Sequence, residues 1–94
     1  MIDVSISFED ENMSEDEAAK LEDIICLVVE EYVSATNRFG KFASAHEGIA
    51  IVQEEFEELK NAVFWPHKSD SDAHEEATQL TAMGLRFLVD IIYG

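Results

Sequence analysis

The sequence predicts an all-α domain made of three long amphipathic helices. In three separate segments, apolar residues recur at alternating spacings of three and four, which is the periodicity of a helix with one buried face. Each segment begins at a serine or an aspartate that can cap a helix. The single proline lies between the second and third segments, where it interrupts no helix.

Length and composition are those of one small folded domain. The chain has 94 residues, 47% of them apolar, and acids outnumber bases by 21 to 6. The formal net charge of −15 argues against nucleic acid or anionic lipid as a partner. Cys26 is the single cysteine, the apolar runs are too short for a membrane span, and the acidic first residues do not resemble a signal peptide. We therefore expect a cytoplasmic protein that binds neither nucleic acid nor membrane.

Residues 1–8 alternate between apolar and polar side chains, which is the pattern of a strand. A single strand has no partner within a helical chain. We expect an extended arm that either pairs across an oligomer or simply leads into the first helix.

The first helix is predicted over about residues 14–39. Ser14 and Glu17 form a capping box at its start, and Gly40 ends it. The apolar stripe contains Ala18, Leu21, Ile25, Val28, Tyr32, Ala35 and Phe39.

The second and third helices are predicted over about residues 44–64 and 72–93. Ser44 and Glu47 form a second capping box, and Ser71 or Asp72 caps the third helix. Gly84 weakens the third helix, which predicts close approach of another helix there. The two stripes contain Phe42, Ala45, Ile49, Val52, Phe56, Leu59 and Val63, and then Ala77, Leu80, Gly84, Phe87 and Ile91.

These helices are apolar over more than one stripe, because residues such as Ile24, Leu27 and Val29 widen the first of them. Three such helices leave more apolar surface than a 94-residue chain can bury alone. We expect a homodimer or homotetramer in which helices from different chains complete a bundle.

Four glutamates lie within five residues in the string EEFEEL, and two of them indicate a metal site. Glu55 and Glu58 are neighbours on one helical face, beside the apolar stripe, and no basic residue is spaced to pair with Glu55. Glu76 and Gln79 repeat the spacing of three on the third helix. Two helices that each supply an oxygen pair form the metal geometry of bundle cores, and carboxylate oxygens suit Mg²⁺.

The segments FASAHEGIAIVQEEFEELK and HEEATQLTAMGLRFLVDI resemble the MazG-like all-α nucleoside triphosphate pyrophosphohydrolases, especially their short phage- and prophage-type members. The ExxE half of that family's signature corresponds to Glu55 and Glu58. Seventeen residues separate Glu58 from Glu76, which opens the second half, ExxD, in which Gln79 replaces the usual aspartate. The resemblance covers about residues 39–92.

The resemblance implies hydrolysis of a nucleoside triphosphate to the monophosphate and pyrophosphate. Glu55, Glu58, Glu76 and Gln79 would hold Mg²⁺, or Mn²⁺ in its place, and Glu54 would accept a proton from the attacking water. Phosphate contacts are expected from Lys41 and Lys60, the basic residues nearest to the acidic string, with Arg38, Lys68 and Arg86 as further candidates. His46, in the first turn of its helix, is a further candidate for substrate contact.

Two other functions fit the same residues. Gln79 carries no charge, so the chain is alternatively a catalytically degenerate helical oligomer that acts as an accessory protein. The remaining alternative is an acidic protein that imitates nucleic acid. Such a mimic would spread its charge over an exposed surface, whereas an enzyme would focus carboxylates into a cleft between the second and third helices.

Overall fold

The computed structural model describes residues 12–94, and in that range the chain is entirely helical apart from its connections. The helices are α1 (Glu15–Phe39), α2 (Ala45–Phe64) and α3 (Ala73–Phe87), and a π-helical segment, Leu88–Ile92, continues α3. The predicted all-α class is confirmed. The predicted arm at residues 1–8 lies outside the described residues.

All three helices begin at the predicted caps. The hydroxyls of Ser14 and Ser44 accept the backbone N–H of the residue three positions later, each at 3.1 Å. Between the two candidates for the third cap, the structure selects Asp72, whose carboxylate accepts the Glu75 N–H at 2.8 Å. Gly40 ends α1 with a positive φ of 75°, a conformation that glycine adopts without steric cost. These local interactions explain why the helix starts were predictable.

Helix α3 is the centre of the fold because it packs against both α1 and α2, whereas α1 and α2 hardly touch each other. The buried line of α3 carries Glu76, Met83 and Arg86, which recur at helical spacing on one face. An acid and an arginine are expensive to bury, so this face is not built for stability alone.

The apolar core is small. Its buried members are Val28, Ala35, Phe42, Ala82 and Met83, and no large side chain in the described range is completely buried. The predicted stripe of α2 is only partly buried, since Ile49, Phe56 and Val63 remain at least half exposed. Instead, α2 buries the line through Gly48 and Ala62, and the partly buried Glu55 lies between them.

The close approach predicted at Gly84 is not found within residues 12–94, where a Cβ at this position would meet no neighbouring atom within 4 Å. The tight glycine is Gly48, where a Cβ would lie 2.8 Å from the Phe87 ring and 3.0 Å from the Phe42 ring. Gly48 therefore allows the end of α3 to approach α2.

Two side chains near the end of α3 hold the connection between α1 and α2. Arg86 Nη2 donates to the Gly40 carbonyl at 2.6 Å, and its guanidinium lies 4.2 Å from the centre of the Phe42 ring. The Phe42 N–H donates to Asp90 Oδ2 at 3.0 Å. Asp90 belongs to the π-helical segment, so the regular helix predicted to Tyr93 ends at Phe87 and continues with wider turns.

No helix in residues 12–94 is both long and apolar enough to span a membrane.

Candidate metal centre

Three glutamates from two helices converge at the contact between α2 and α3. Glu55 and Glu58 lie one turn apart on α2, and Glu76 lies in the first turn of α3. One carboxylate oxygen of each lies within 4.8 Å of one of each of the others. The sequence pattern predicted that these three carboxylates converge. Their convergence requires α2 and α3 to pack with their glutamate-bearing faces together.

The cluster contains three acidic groups, and residues 12–94 place no cation within ion-pair distance of them. Glu76 is 3% exposed, and its Oε2 is buried without a hydrogen-bond partner, as is Oε2 of Glu55. The ion pair that the described residues do form joins Lys60 to Glu57, outside the cluster. Buried carboxylates without partners are costly, so a bound cation would stabilise this arrangement.

The electrostatic cost appears in the pKa values of the cluster. Burial, followed by repulsion from Glu58 and Glu76, raises the pKa of Glu55 to about 7. Desolvation, together with hydrogen bonding to and repulsion from Glu76, raises the pKa of Glu58 above its ordinary value. A divalent ion would reverse this effect, because it stabilises the ionised forms.

The donor set fits a hard divalent cation. All three groups offer oxygen, and two of the oxygens are buried and unpartnered. Mg²⁺ is typically bound by one or a few carboxylates and keeps several waters, so three carboxylates suffice without a closed protein cage. Mn²⁺ accepts the same oxygen donors.

Gln79, the predicted fourth ligand, has its amide nitrogen bonded within α3. Its Nε2 donates to Glu75 Oε1 at 3.4 Å, one turn earlier on α3. Glu54 is exposed, and its charge contributes to raising the pKa of both Glu55 and Glu58. The structure therefore brings together the three acidic ligands of the prediction, Glu55, Glu58 and Glu76, and places Glu54 close enough to influence two of them.

A cleft of about 510 Å³ opens beside the cluster. Glu54, Glu55 and Gln79 line one part of it, and Arg38, Phe42 and Arg86 are also among its walls. This volume is typical of sites for small molecules, which range over about 300–1,000 Å³.

The three predicted substrate contacts do not border this cleft. Lys41 and His46 are exposed and absent from its lining, and Lys60 is an exposed side chain 3.6 Å from Glu57. The cations of the cleft are arginines from more distant parts of the chain. Arg86 lies one turn after Met83, which shares a face of α3 with Glu76, and this spacing is the signal that could have ranked it above the lysines.

A second cavity of about 530 Å³ lies at the connection between α2 and α3. Glu58, Trp65 and Lys68 are among the residues that line it. Glu58 therefore borders this cavity, whereas Glu55 borders the cleft.

No family model, curated protein or solved structure matches the chain.

Proposed function

We propose that the protein is a Mg²⁺-dependent nucleoside triphosphate pyrophosphohydrolase of the MazG-like kind, which produces a monophosphate and pyrophosphate. The observation that carries the proposal is the convergence of Glu55, Glu58 and Glu76 beside a cleft of ligand size. The focusing of these carboxylates between α2 and α3 favours an enzyme over a nucleic-acid mimic, which would spread its acids over an exposed surface.

In this proposal, Glu55, Glu58 and Glu76 hold the metal ion. When bound, Mg²⁺ would neutralise phosphate charge and lower the pKa of a water molecule. Glu54 is exposed at the cleft beside the cluster, so its carboxylate is available to accept a proton from the attacking water. Attack by water at the α-phosphorus forms the new P–O bond of the monophosphate, breaks the bond between the α-phosphorus and the bridging oxygen, and releases pyrophosphate.

The cleft suits a phosphorylated organic molecule. Phe39 and Phe42 offer apolar surface, and Arg38 and Arg86 offer positive charge in the same cavity. With a metal ion at the cluster, the phosphates of a nucleotide would meet the ion and the arginines, and its nucleoside would meet the apolar surface of the phenylalanines. These features support a nucleotide without identifying its base.

We also propose that the chain associates with a second copy through α2. Ile49, Phe56 and Val63 recur every seven residues along this helix and are at least half exposed, although each is large and apolar. The core of a single chain is small, and a two-fold axis would place this stripe against its own copy. Light scattering should therefore give a dimer or tetramer for the wild type and a monomer for the double variant Ile49→Ser, Val63→Ser. A monomeric wild type would contradict the interface.

The enzymatic proposal is tested with a panel of ribo- and deoxynucleoside triphosphates in Mg²⁺, with pyrophosphate release as the readout. We expect activity on at least one nucleotide and a loss of about a hundredfold or more in Glu55→Gln, because the chemistry depends on the ion. Glu57→Gln is the matched control, since Glu57 lies on the same helix and pairs with Lys60 outside the cluster. The absence of pyrophosphate from every nucleotide would contradict the proposal.

One observation favours the degenerate alternative: the predicted fourth ligand is an uncharged glutamine whose amide nitrogen donates to Glu75, so the cluster has three acidic members. In that case the chain would be a helical oligomer with an accessory role. Gln79→Asp distinguishes the two functions. Activity confined to this variant would show that the natural chain is a degenerate member, whereas activity in the wild type would show that three carboxylates suffice.

A further inference from the structure

Arg86 is a buried cation without an anionic partner in residues 12–94. It is 3% exposed, and no carboxylate in that range lies within ion-pair distance of its guanidinium. Its Nη2 binds the Gly40 carbonyl, its Nη1 contacts the Met83 sulfur at 3.2 Å, and its Nε is buried without an acceptor. Arginine keeps its charge in proteins, so the cost of this burial cannot be relieved by loss of a proton.

The missing anion is not explained by a shortage of acids nearby. Glu31, Glu47 and Glu54 line the same cleft as Arg86, and Asp90 lies one turn beyond it on the chain. Asp90 directs one oxygen to the Phe42 N–H. The arginine is therefore held by a carbonyl, a sulfur and an aromatic ring, none of which neutralises it.

We propose that Arg86 binds a phosphate group of the ligand in this cleft. This inference rests on the proposed function and deepens it, because it names Arg86 as the residue that binds the part of a di- or triphosphate extending beyond the acidic cluster. A guanidinium matches phosphate oxygens in geometry and charge. The stack on Phe42 and the bond to Gly40 hold the guanidinium in place before the ligand arrives, which reduces the entropy lost on binding.

The acidic lining of the cleft determines how such a ligand can bind. Free phosphate would be repelled by Glu54 and Glu55, which line the cleft with Arg86. With a divalent ion at the cluster, the ion attracts the phosphate that the carboxylates alone would repel. Arg86 then attracts the negative charge that the ion does not neutralise. The proposal therefore predicts that pyrophosphate and a divalent ion bind with positive linkage.

The test uses inorganic pyrophosphate as the probe and separates the two proposals. Mn²⁺ binding is measured first by electron paramagnetic resonance, and pyrophosphate is then titrated calorimetrically into the Mn²⁺-loaded protein. We expect Arg86→Met to weaken pyrophosphate at least about tenfold, the loss typical of a charge-assisted hydrogen bond, and to change Mn²⁺ affinity less than twofold. Lys20→Met removes one positive charge on α1, outside the cleft, and should leave both affinities unchanged.

A measurement on the wild type guards against a variant that fails to fold. The chain contains two arginines, Arg38 and Arg86, so their Nε–H resonances can be assigned by single substitution. In Mg²⁺, pyrophosphate should shift the Arg86 resonance. Equal pyrophosphate affinity in Arg86→Met, an unshifted Arg86 resonance at saturation, or no pyrophosphate binding to the metal-loaded wild type would overturn the proposal while leaving metal binding intact. Failure of the wild type to bind Mn²⁺ would remove the proposed function and this inference together.

Discussion

The carboxylates of Glu55 and Glu76 approach within 4.8 Å across the contact of two helices, and each has a buried oxygen without a partner. The described residues provide no cation to either group, and Glu76 is almost completely buried. Such a contact costs stability in the metal-free chain. A divalent cation bound between the two carboxylates would remove this cost.

Divalent ions should stabilise the folded protein through this cluster. At a concentration one hundred times the dissociation constant, binding to the folded state contributes about 2.7 kcal/mol to the free energy of unfolding. Thermal melts with and without Mg²⁺ or Mn²⁺ measure this effect. Glu58→Gln should abolish most of the shift, whereas Glu57→Gln should retain it. Equal shifts in both variants would indicate nonspecific screening of the surface charge.

The stability of the metal-free protein should fall as the pH rises from about 5 to 8. The pKa of Glu55 is about 7 in the folded state and 4.5 in its unperturbed form, so between these values the folded chain binds the extra proton. Folding is therefore favoured at the acidic end of this window and loses that advantage as the pH passes 7. Denaturant titrations at several pH values in a chelator check the slope.

The same pH series should be flatter in Glu55→Gln, because the variant cannot ionise at this position. Saturating Mg²⁺ should also oppose the fall, since the ion competes with the proton for the carboxylates. A wild-type stability that rises between pH 5 and 8 without metal would contradict the assignment.

Alanine should have opposite effects at the two helical glycines. At Gly48 the added methyl would meet the Phe87 ring at 2.8 Å, so we expect Gly48→Ala to lower the free energy of unfolding by about 1–3 kcal/mol. At Gly84 an added methyl meets no neighbouring atom of residues 12–94 within 4 Å. Gly84→Ala should therefore raise the free energy of unfolding by about 1 kcal/mol. Urea unfolding measures both. Destabilisation by Gly84→Ala would indicate that a second copy packs there.

Asp90 should stabilise the fold by holding the connection between α1 and α2. Its Oδ2 accepts the Phe42 N–H at 3.0 Å, and Asp90→Ala would leave that partly buried donor without an acceptor, at a cost of about 1–3 kcal/mol. Asp90→Asn keeps an oxygen and should lose less. Asp23→Ala, at an exposed position on α1, is the control for the change in charge. Chemical denaturation measures the stability of the three variants. Equal stability of all three would show that the bond from the Phe42 N–H to Asp90 contributes nothing.

Helix starts and the acidic pair of α2 were predictable because they depend on short separations. A serine or aspartate caps the amide three residues later, and Glu55 and Glu58 are neighbours on any helix that contains them. The direction of the Gln79 side chain was not predictable, because the residues at spacings of three and four, Glu76 and Glu75, are both within its reach on a helix, and the amide nitrogen bonds to Glu75.

The sequence by itself determined three helices with their caps and the oxygen chemistry of the candidate site, because these follow from contacts within one or two turns. The tertiary structure alone decided that Arg86 and Asp90 hold the residues Gly40 and Phe42, and that Gly48 is the glycine packed tightly against the Phe87 ring. These contacts join positions more than 15 residues apart, some separated by more than 40. No local periodicity encodes which faces meet over such separations, since that choice depends on the packing of α3 against both neighbouring helices.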